Sequence, residues 1–144
     1  MEYEPSPSER VREQVALYEA TGGREGGTLE GRPVVILTSR GAKSGKVRKT
    51  PLIRIEQDGV YAVTASAAGS PKHPAWYWNV QADPLVRLQD GDRVREFRAR
   101  EPAGEELARW WALAEAHWPH YPEYRKRAGG RVIPLLLLEP ADLG

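Results

Sequence analysis

Apolar residues along this chain recur at two different spacings, and the switches between them divide it into short elements. Across residues 6–20, Val11, Val15 and Tyr18 fall at i, i+4 and i+7, one stripe of an amphipathic helix. Ser6 or Ser8 can cap it, Pro7 suits its first turn and Thr21-Gly22-Gly23 stops it. The glycine-rich stretch to Gly31 predicts loop. Residues 33–39 predict a strand, and residues 47–56 and 60–67 predict two more, joined as a hairpin by Gln57-Asp58-Gly59. After a loop to residue 74, residues 75–82 predict a short aromatic helix that ends before Asp83-Pro84. Residues 85–89 and 93–100 form a second hairpin through Asp90-Gly91-Asp92. In its second strand Val94 and Phe97 break alternation, which predicts a bulge or an edge. Residues 105–117 predict another helix, with acids near its start. Pro119 and Pro122 interrupt the segment after it, and residues 133–139 predict a last, buried strand.

Hairpins dominate and no long βαβ series appears. That order predicts an α+β fold, an antiparallel barrel of about six strands with peripheral helices, over a Rossmann sheet. There is no internal repeat. Residues 1–32 read as a helix with a glycine-rich lead-in and residues 33–144 as the barrel domain. A chain of 144 residues suits one core.

Composition narrows the chemistry. Without cysteine the chain has no disulfide, thiolate metal site or cysteine nucleophile. A net charge of +1 gives no global field toward nucleic acid, so any anion site is a local cluster. The acidic, proline-rich start has no apolar signal-peptide segment, and the apolar runs at 34–37 and 133–138 are too short to span a bilayer. A cytoplasmic location is expected. Five Trp and six Tyr against one Phe suit a lined pocket more than a dry core. His73, His117 and His120 share no metal-ligand spacing, so no metal site is expected. Trp110 and Trp111 read as packing residues.

The richest segment runs from Thr38 to Leu52. Arg40, Lys43, Lys46, Arg48 and Lys49 place five cations within ten positions, with Gly41 and Gly45 freeing the backbone and Ser44 adding a hydroxyl. Such a loop can hold a phosphate or several carboxylates. It is not a phosphate loop of the G-x-x-x-x-G-K-[ST] type, being one residue short, with Val47 in the Ser/Thr place and a strand pattern after it. Taken alone it is equally a solvated basic hairpin.

Two further segments decide between these: Thr64-Ala65-Ser66-Ala67 through Pro74-Ala75-Trp76-Tyr77-Trp78-Asn79 to Asp83-Pro84, and Trp118 through Tyr121-Pro122-Glu123-Tyr124 to Ile133-Pro134. With the basic loop, they resemble the deazaflavin-dependent nitroreductase family in order and approximate spacing, over most of residues 33–140. The resemblance implies an FMN-binding split-barrel-like fold and a reduced deazaflavin, coenzyme F420, whose phosphate and oligoglutamate tail are anionic. It implies that Ala42, Lys43, Ser44, Arg48 and Lys49 meet the tail, Arg48 being the best phosphate ligand because a guanidinium binds two oxygens at once. Thr50, Pro51, Leu52 and Ile53 would run along the cofactor, and Thr64, Ala65, Ser66 and Ala67 would lie beside the ring. Ala75, Trp76, Tyr77, Trp78 and Asn79 would close the phosphate end. Ser66, Tyr121 and Tyr124 are the implied catalytic residues, with Tyr121 also touching the cofactor.

The chain departs from the family pattern at Ala67, Ala68, His73, Ile53 and Trp118, which bears on acceptor choice more than on cofactor choice. The implied activity is hydride transfer from F420H2 to an organic acceptor: a quinone, a nitroaromatic or a conjugated enone. The alternatives are an FMN- or F420-binding split barrel without turnover, and a nucleic-acid protein, which the near-neutral charge and missing motif disfavour. FMN is the rival cofactor, but several cations suit a longer anionic tail better. A lipid-soluble quinone would invite peripheral contact with the inner face of the membrane through the first helix, against which Glu9, Glu13 and Glu19 count. Split barrels also often form homodimers.

Overall fold

A computed structural model describes residues 3–66, 72–129 and 132–141. The elements in chain order are α1 (Glu9–Thr21), β1 (Thr28–Leu29), β2 (Arg32–Arg40), β3 (Val47–Ile53), β4 (Glu56–Gln57), β5 (Val60–Thr64), α2 (Ala75–Ala82), β6 (Leu85–Asp90), β7 (Arg93–Arg100), α3 (Gly104–His117), α4 (Tyr121–Arg127) and β8 (Leu135–Pro140).

The strands form one sheet in the order β1-β2-β6-β7-β8-β5-β4, with β3 on the other side of β2, and every strand pair is antiparallel. The closing link is covalent. β3 leaves β2 at Arg54, whose N–H donates to Pro33 O at 2.9 Å, and Ile55 O then accepts from Ala62 N–H at 2.8 Å. One bent strand thus pairs first with β2 and then with β5, completing a split barrel. This is why residues 47–56 read as a single strand. Where β4 turns into β5, Asp58 and Gly59 both sit at positive φ (54° and 84°), as a type I′ hairpin turn requires.

Both faces of the central strands are covered, which explains why residues 34–37 and 135–138 are apolar without alternation. Val35, Leu37, Val63, Leu88, Leu136 and Leu138 point inward, with Trp76 and Val80 of α2 packed among them. Val34 and Ile36 point outward against Val15 and Tyr18 of α1. Ala62, Leu135 and Leu137 point outward against Trp110 and Ala114 of α3 and Tyr121 of α4. The first helix therefore shares a core with the barrel. Ser8 caps it, accepting from Val11 N–H at 3.3 Å, and Gly22 ends it in the left-handed conformation.

The structure corrects four sequence expectations. The glycine-rich lead-in contains β1, too short and exposed to leave a periodic signal. Pro119 does interrupt, lying in the break between α3 and α4, but Pro122 does not; it occupies the first turn of α4, where its missing N–H costs nothing. β7 has no bulge: its register with β6 is unbroken from Asp90↔Arg93 to Leu85↔Arg98, and Val94 simply faces solvent. The last strand starts at Leu135 rather than 133: Pro134 O still accepts from Ala65 N–H at 2.9 Å, but proline has no N–H to return the bond and the ladder ends there.

Candidate active site

The connection between β2 and β3 is the basic loop, and its shape is fixed from both sides. Gly41 N–H donates to Lys46 O at 2.7 Å and Gly45 N–H to Gly41 O at 2.9 Å, closing the loop on itself. Asn79 of α2, buried, holds it to the barrel: Oδ1 accepts from Ala42 N–H at 2.9 Å and Nδ2 donates to Ser39 Oγ at 3.4 Å. A Cβ at Gly41 would lie 2.8 Å from Ser44 Oγ and 3.2 Å from Lys46 O, so a side chain there would displace the Ser44 hydroxyl and crowd the turn.

Against this loop lies a cleft of about 390 Å³, lined by Lys43, Ser44, Arg48, Ala75, Trp78 and Asn79 along with Glu4, Gly41 and Ala42. Farther along β3 is a second cavity of about 280 Å³. Thr50, Pro51, Leu52 and Ile53 form one wall of it, Thr64, Ser66 and Trp76 another, and Trp118, Tyr121 and Tyr124 a third. The two lie along one strand, so a ligand reaching from Arg48 to Ile53 would span roughly 16 Å at a strand's rise per residue.

The second cavity has a mixed lining, in which aliphatic and indole surface alternates with five hydroxyl side chains and one cation, Arg10. Tyr121 is 3% exposed, and burial pushes its phenol up to about 12, while a hydrogen bond with the Thr64 side chain partly opposes this. At neutral pH it is a protonated donor. Trp118 Nε1–H donates to Tyr124 Oη at 3.3 Å, and the Tyr121 ring meets those of Trp111 and Tyr124 edge-on at 5.6 and 6.0 Å. These contacts lock the aromatic wall in place.

Most of the sequence-derived site residues fall in one of the two spaces, but three do not. Lys49 points away from Arg48, since adjacent strand residues face opposite sides. It pairs with Glu19 of α1 at 2.7 Å in a separate groove of about 680 Å³ on the outer face. That groove is larger, with Lys49 matched by Glu19 and Arg87 by Glu96 at 3.9 Å, and it shares no lining residue with the cavity at Tyr121. Tyr77 turns outward, its hydroxyl donating to Glu101 at 3.0 Å. Ala65 is fully buried in the barrel interior. Ala67 lies outside the described residues. Conversely, Glu4, Arg10 and Leu29 line these spaces, and none of them is expected there from the sequence. Nothing in local sequence marks Glu4, whose position depends on pairing across more than forty residues. Arg10 is marked only as a neighbour of the Val11 stripe.

Comparison with known proteins identifies this arrangement. Residues 10–140 match the family model described as F420H(2)-dependent quinone reductase. The chain belongs to that family. It is 32% identical over 127 residues to an F420H(2)-dependent quinone reductase of Mycobacterium tuberculosis (strain ATCC 25618 / H37Rv), covering 85% of each chain. A solved F420-H2 dependent reductase is 50% identical, with a TM-score of 0.69 over 75% of this chain and 95% of its own. Another structure, a domain-swapped dimer, is 45% identical with a TM-score of 0.71, over 88% and 92% of the two chains. The protein is thus an oxidoreductase of split-barrel fold whose cofactor is reduced coenzyme F420, as the sequence resemblance implied. The residues present suit that cofactor: the cleft at Arg48 already holds a carboxylate, that of Glu4, and the adjoining cavity sets the rings of Trp76, Trp118 and Tyr121 beside the hydroxyls of Thr50, Thr64 and Ser66. Among the described residues no helix is long and apolar enough to cross a membrane.

Proposed function

We propose that this chain catalyses reduction of a quinone-type acceptor by F420H2, with the tail of the cofactor in the cleft at Arg48 and its ring in the cavity beside Ser66. The observation that carries this is the pair of spaces along β3, one bearing Lys43 and Arg48 and the other walled by Trp76, Trp118 and Tyr121, matching the two halves of a deazaflavin with a polyanionic tail. When bound, the cofactor supplies a hydride, and the acceptor gains that hydride and one proton to become the quinol.

The chain's own residues bind, orient and shield. Lys43, Ser44 and Arg48 hold anionic oxygens through charge-assisted hydrogen bonds. Asn79 keeps the loop in the shape that presents them, rather than meeting the ligand as its main role. Leu52 and Trp76 fix the ring's height against the barrel core. Tyr121, protonated and buried, donates a hydrogen bond to the oxygen that gains charge as hydride arrives. Ser66 and Tyr124 flank the same space. Proximity and electrostatic positioning account for the rate without an acid–base triad.

Oxidation of F420H2 by a series of quinones, followed in the absorbance of the oxidised cofactor, tests the activity. An Arg48→Ala variant should raise KM for F420H2 roughly tenfold or more with little change in kcat, as loss of a hydrogen bond to a charged group implies. Tyr121→Phe and Ser66→Ala should lower kcat instead. Titration with FMN is the counter-test: binding tighter than that of F420 would assign the cleft to the flavin. The similarity to a domain-swapped dimer supports a homodimer here too, which sedimentation velocity would decide.

A further inference from the structure

The cleft at Arg48 has a feature that a simple cofactor platform would lack. The N-terminal segment lies on the open edge of β3, with Tyr3 bridging Val47 in parallel and Glu4 N–H donating to Val47 O at 2.8 Å. This fixes Glu4 at the mouth of the cleft, and its carboxylate takes the Arg48 guanidinium in a direct ion pair. The partner of Arg48 is therefore chemically the same group that a glutamyl tail would present. Both side chains are partly exposed, so the pair can exchange.

We propose that Glu4 is an intramolecular competitor for the anionic part of the cofactor: it occupies Arg48 until a ligand anion replaces it, and so lowers the affinity of any ligand that must take Arg48 while leaving that of a neutral one unchanged. The proposal rests on the assignment of this cleft to the tail. A tethered carboxylate acts at a high effective concentration, on the order of millimolar for a short flexible link. One free carboxylate does not displace it. A tail with several carboxylates does, because Lys43, which makes no ion pair among the described residues, gives the tail a first foothold beside Arg48. A neutral deazaflavin riboside gains nothing from Arg48 and leaves Glu4 in place. Glu19 supplies an internal contrast. It pairs with Lys49 on the opposite face of β3 and does not reach the cleft.

The test is calorimetric titration of the full chain and of Glu4→Gln, Glu19→Gln, Arg48→Ala and the Glu4→Gln/Arg48→Ala double variant. The probes are three oxidised deazaflavins: the riboside without phosphate, the phosphate-bearing form without glutamates, and the form with several glutamates. Glu4→Gln should bind the multiply glutamylated form roughly two- to fivefold more tightly, the scale of one exposed ion pair, and the riboside no differently. Gain already present with the phosphate form assigns the displacing group to the phosphate; gain only with glutamates assigns it to the tail. In the Arg48→Ala background the Glu4 substitution should change nothing. Unchanged or weaker binding of the glutamylated form by Glu4→Gln, or an equal gain from Glu19→Gln, overturns the proposal while leaving the cleft assignment intact. If Arg48→Ala binds that form as tightly as the parent, the cleft assignment itself falls. Glu4→Ala repeats the measurement without a residual amide, and melting curves confirm that each variant is folded.

Discussion

The clamp at Asn79 makes a prediction that separates shape from charge in the cleft. Asn79→Ala removes the acceptor for Ala42 N–H and the donor to Ser39 Oγ. The Ser39 hydroxyl can rotate toward another partner, and the N–H of exposed Ala42 turns to water, so the loss is that of a net hydrogen bond, about 0.5–1.5 kcal/mol. At this chain length that is a fall in Tm of roughly 2–5 °C. The loop then regains backbone freedom. If binding must reorder about one residue's worth of it, roughly 1.4 kcal/mol is lost, or about tenfold in KM for F420H2. Nothing ties Asn79 to the cavity around Tyr121, so kcat should stay within about twofold of the parent. Ser39→Ala is the partner experiment: it deletes only the longer 3.4 Å contact and keeps Ala42 held, so it should cost stability while leaving KM nearly unchanged. Differential scanning fluorimetry and steady-state kinetics with one quinone read both quantities. If Asn79→Ala melted with the parent, or if both variants raised KM equally, the clamp would not be what shapes the loop.

Two other contacts carry predictions of their own. Tyr18 joins α1 to β2 and to the β6–β7 turn: its hydroxyl accepts from Gly91 N–H at 2.7 Å and donates to Val34 O at 3.1 Å, so Tyr18→Phe should lower stability by about 1–3 kcal/mol with KM and kcat unchanged. Tyr121 ionises near 12 in the folded chain against about 10 when unfolded, so the native state keeps its proton longer. Its contribution, at most about 3 kcal/mol, is complete below pH 10 and lost as the pH rises toward 12. Denaturant unfolding across that window should therefore show a shallower decline for Tyr121→Phe than for the parent, and an identical decline would remove the burial argument.

Elements governed by local chemistry are legible in the sequence. The Ser8 cap, the Asp58-Gly59 turn and the aromatic run at 75–82 each carry a short-range signal, and each lies where that signal puts it. The features that escape such a reading depend on contacts distant in sequence. Glu4 meets Arg48 across forty-four positions and Tyr18 meets Gly91 across seventy-three. The site is half legible for a different reason. The cations at 40–49 form one cluster along the chain, whereas the strand beginning at Val47 alternates faces and parts Arg48 from Lys49. The two-residue period, applied to that stretch, separates them from sequence alone.

The placement of the site follows from the one strand whose backbone the barrel does not fully use. Every other long strand has neighbours on both sides, or closes the ring through one. β3 pairs only with β2, and on its far edge the only backbone partner among the described residues is the segment at Tyr3 and Glu4, which reaches no farther than Val47. All of its residues are half-buried, neither core nor surface. An open edge of this kind invites pairing with another chain. Here Pro51 removes one donor from it, while charged Arg48 and Lys49 discourage a foreign strand. The same edge leaves side chains of both faces within reach of a ligand lying over it, which is how Thr50 to Ile53 all line one cavity. A strand fully paired on both edges could present only alternate residues. The feature that the fold must protect from aggregation is therefore the feature that lays four consecutive residues, Thr50 to Ile53, along one cavity.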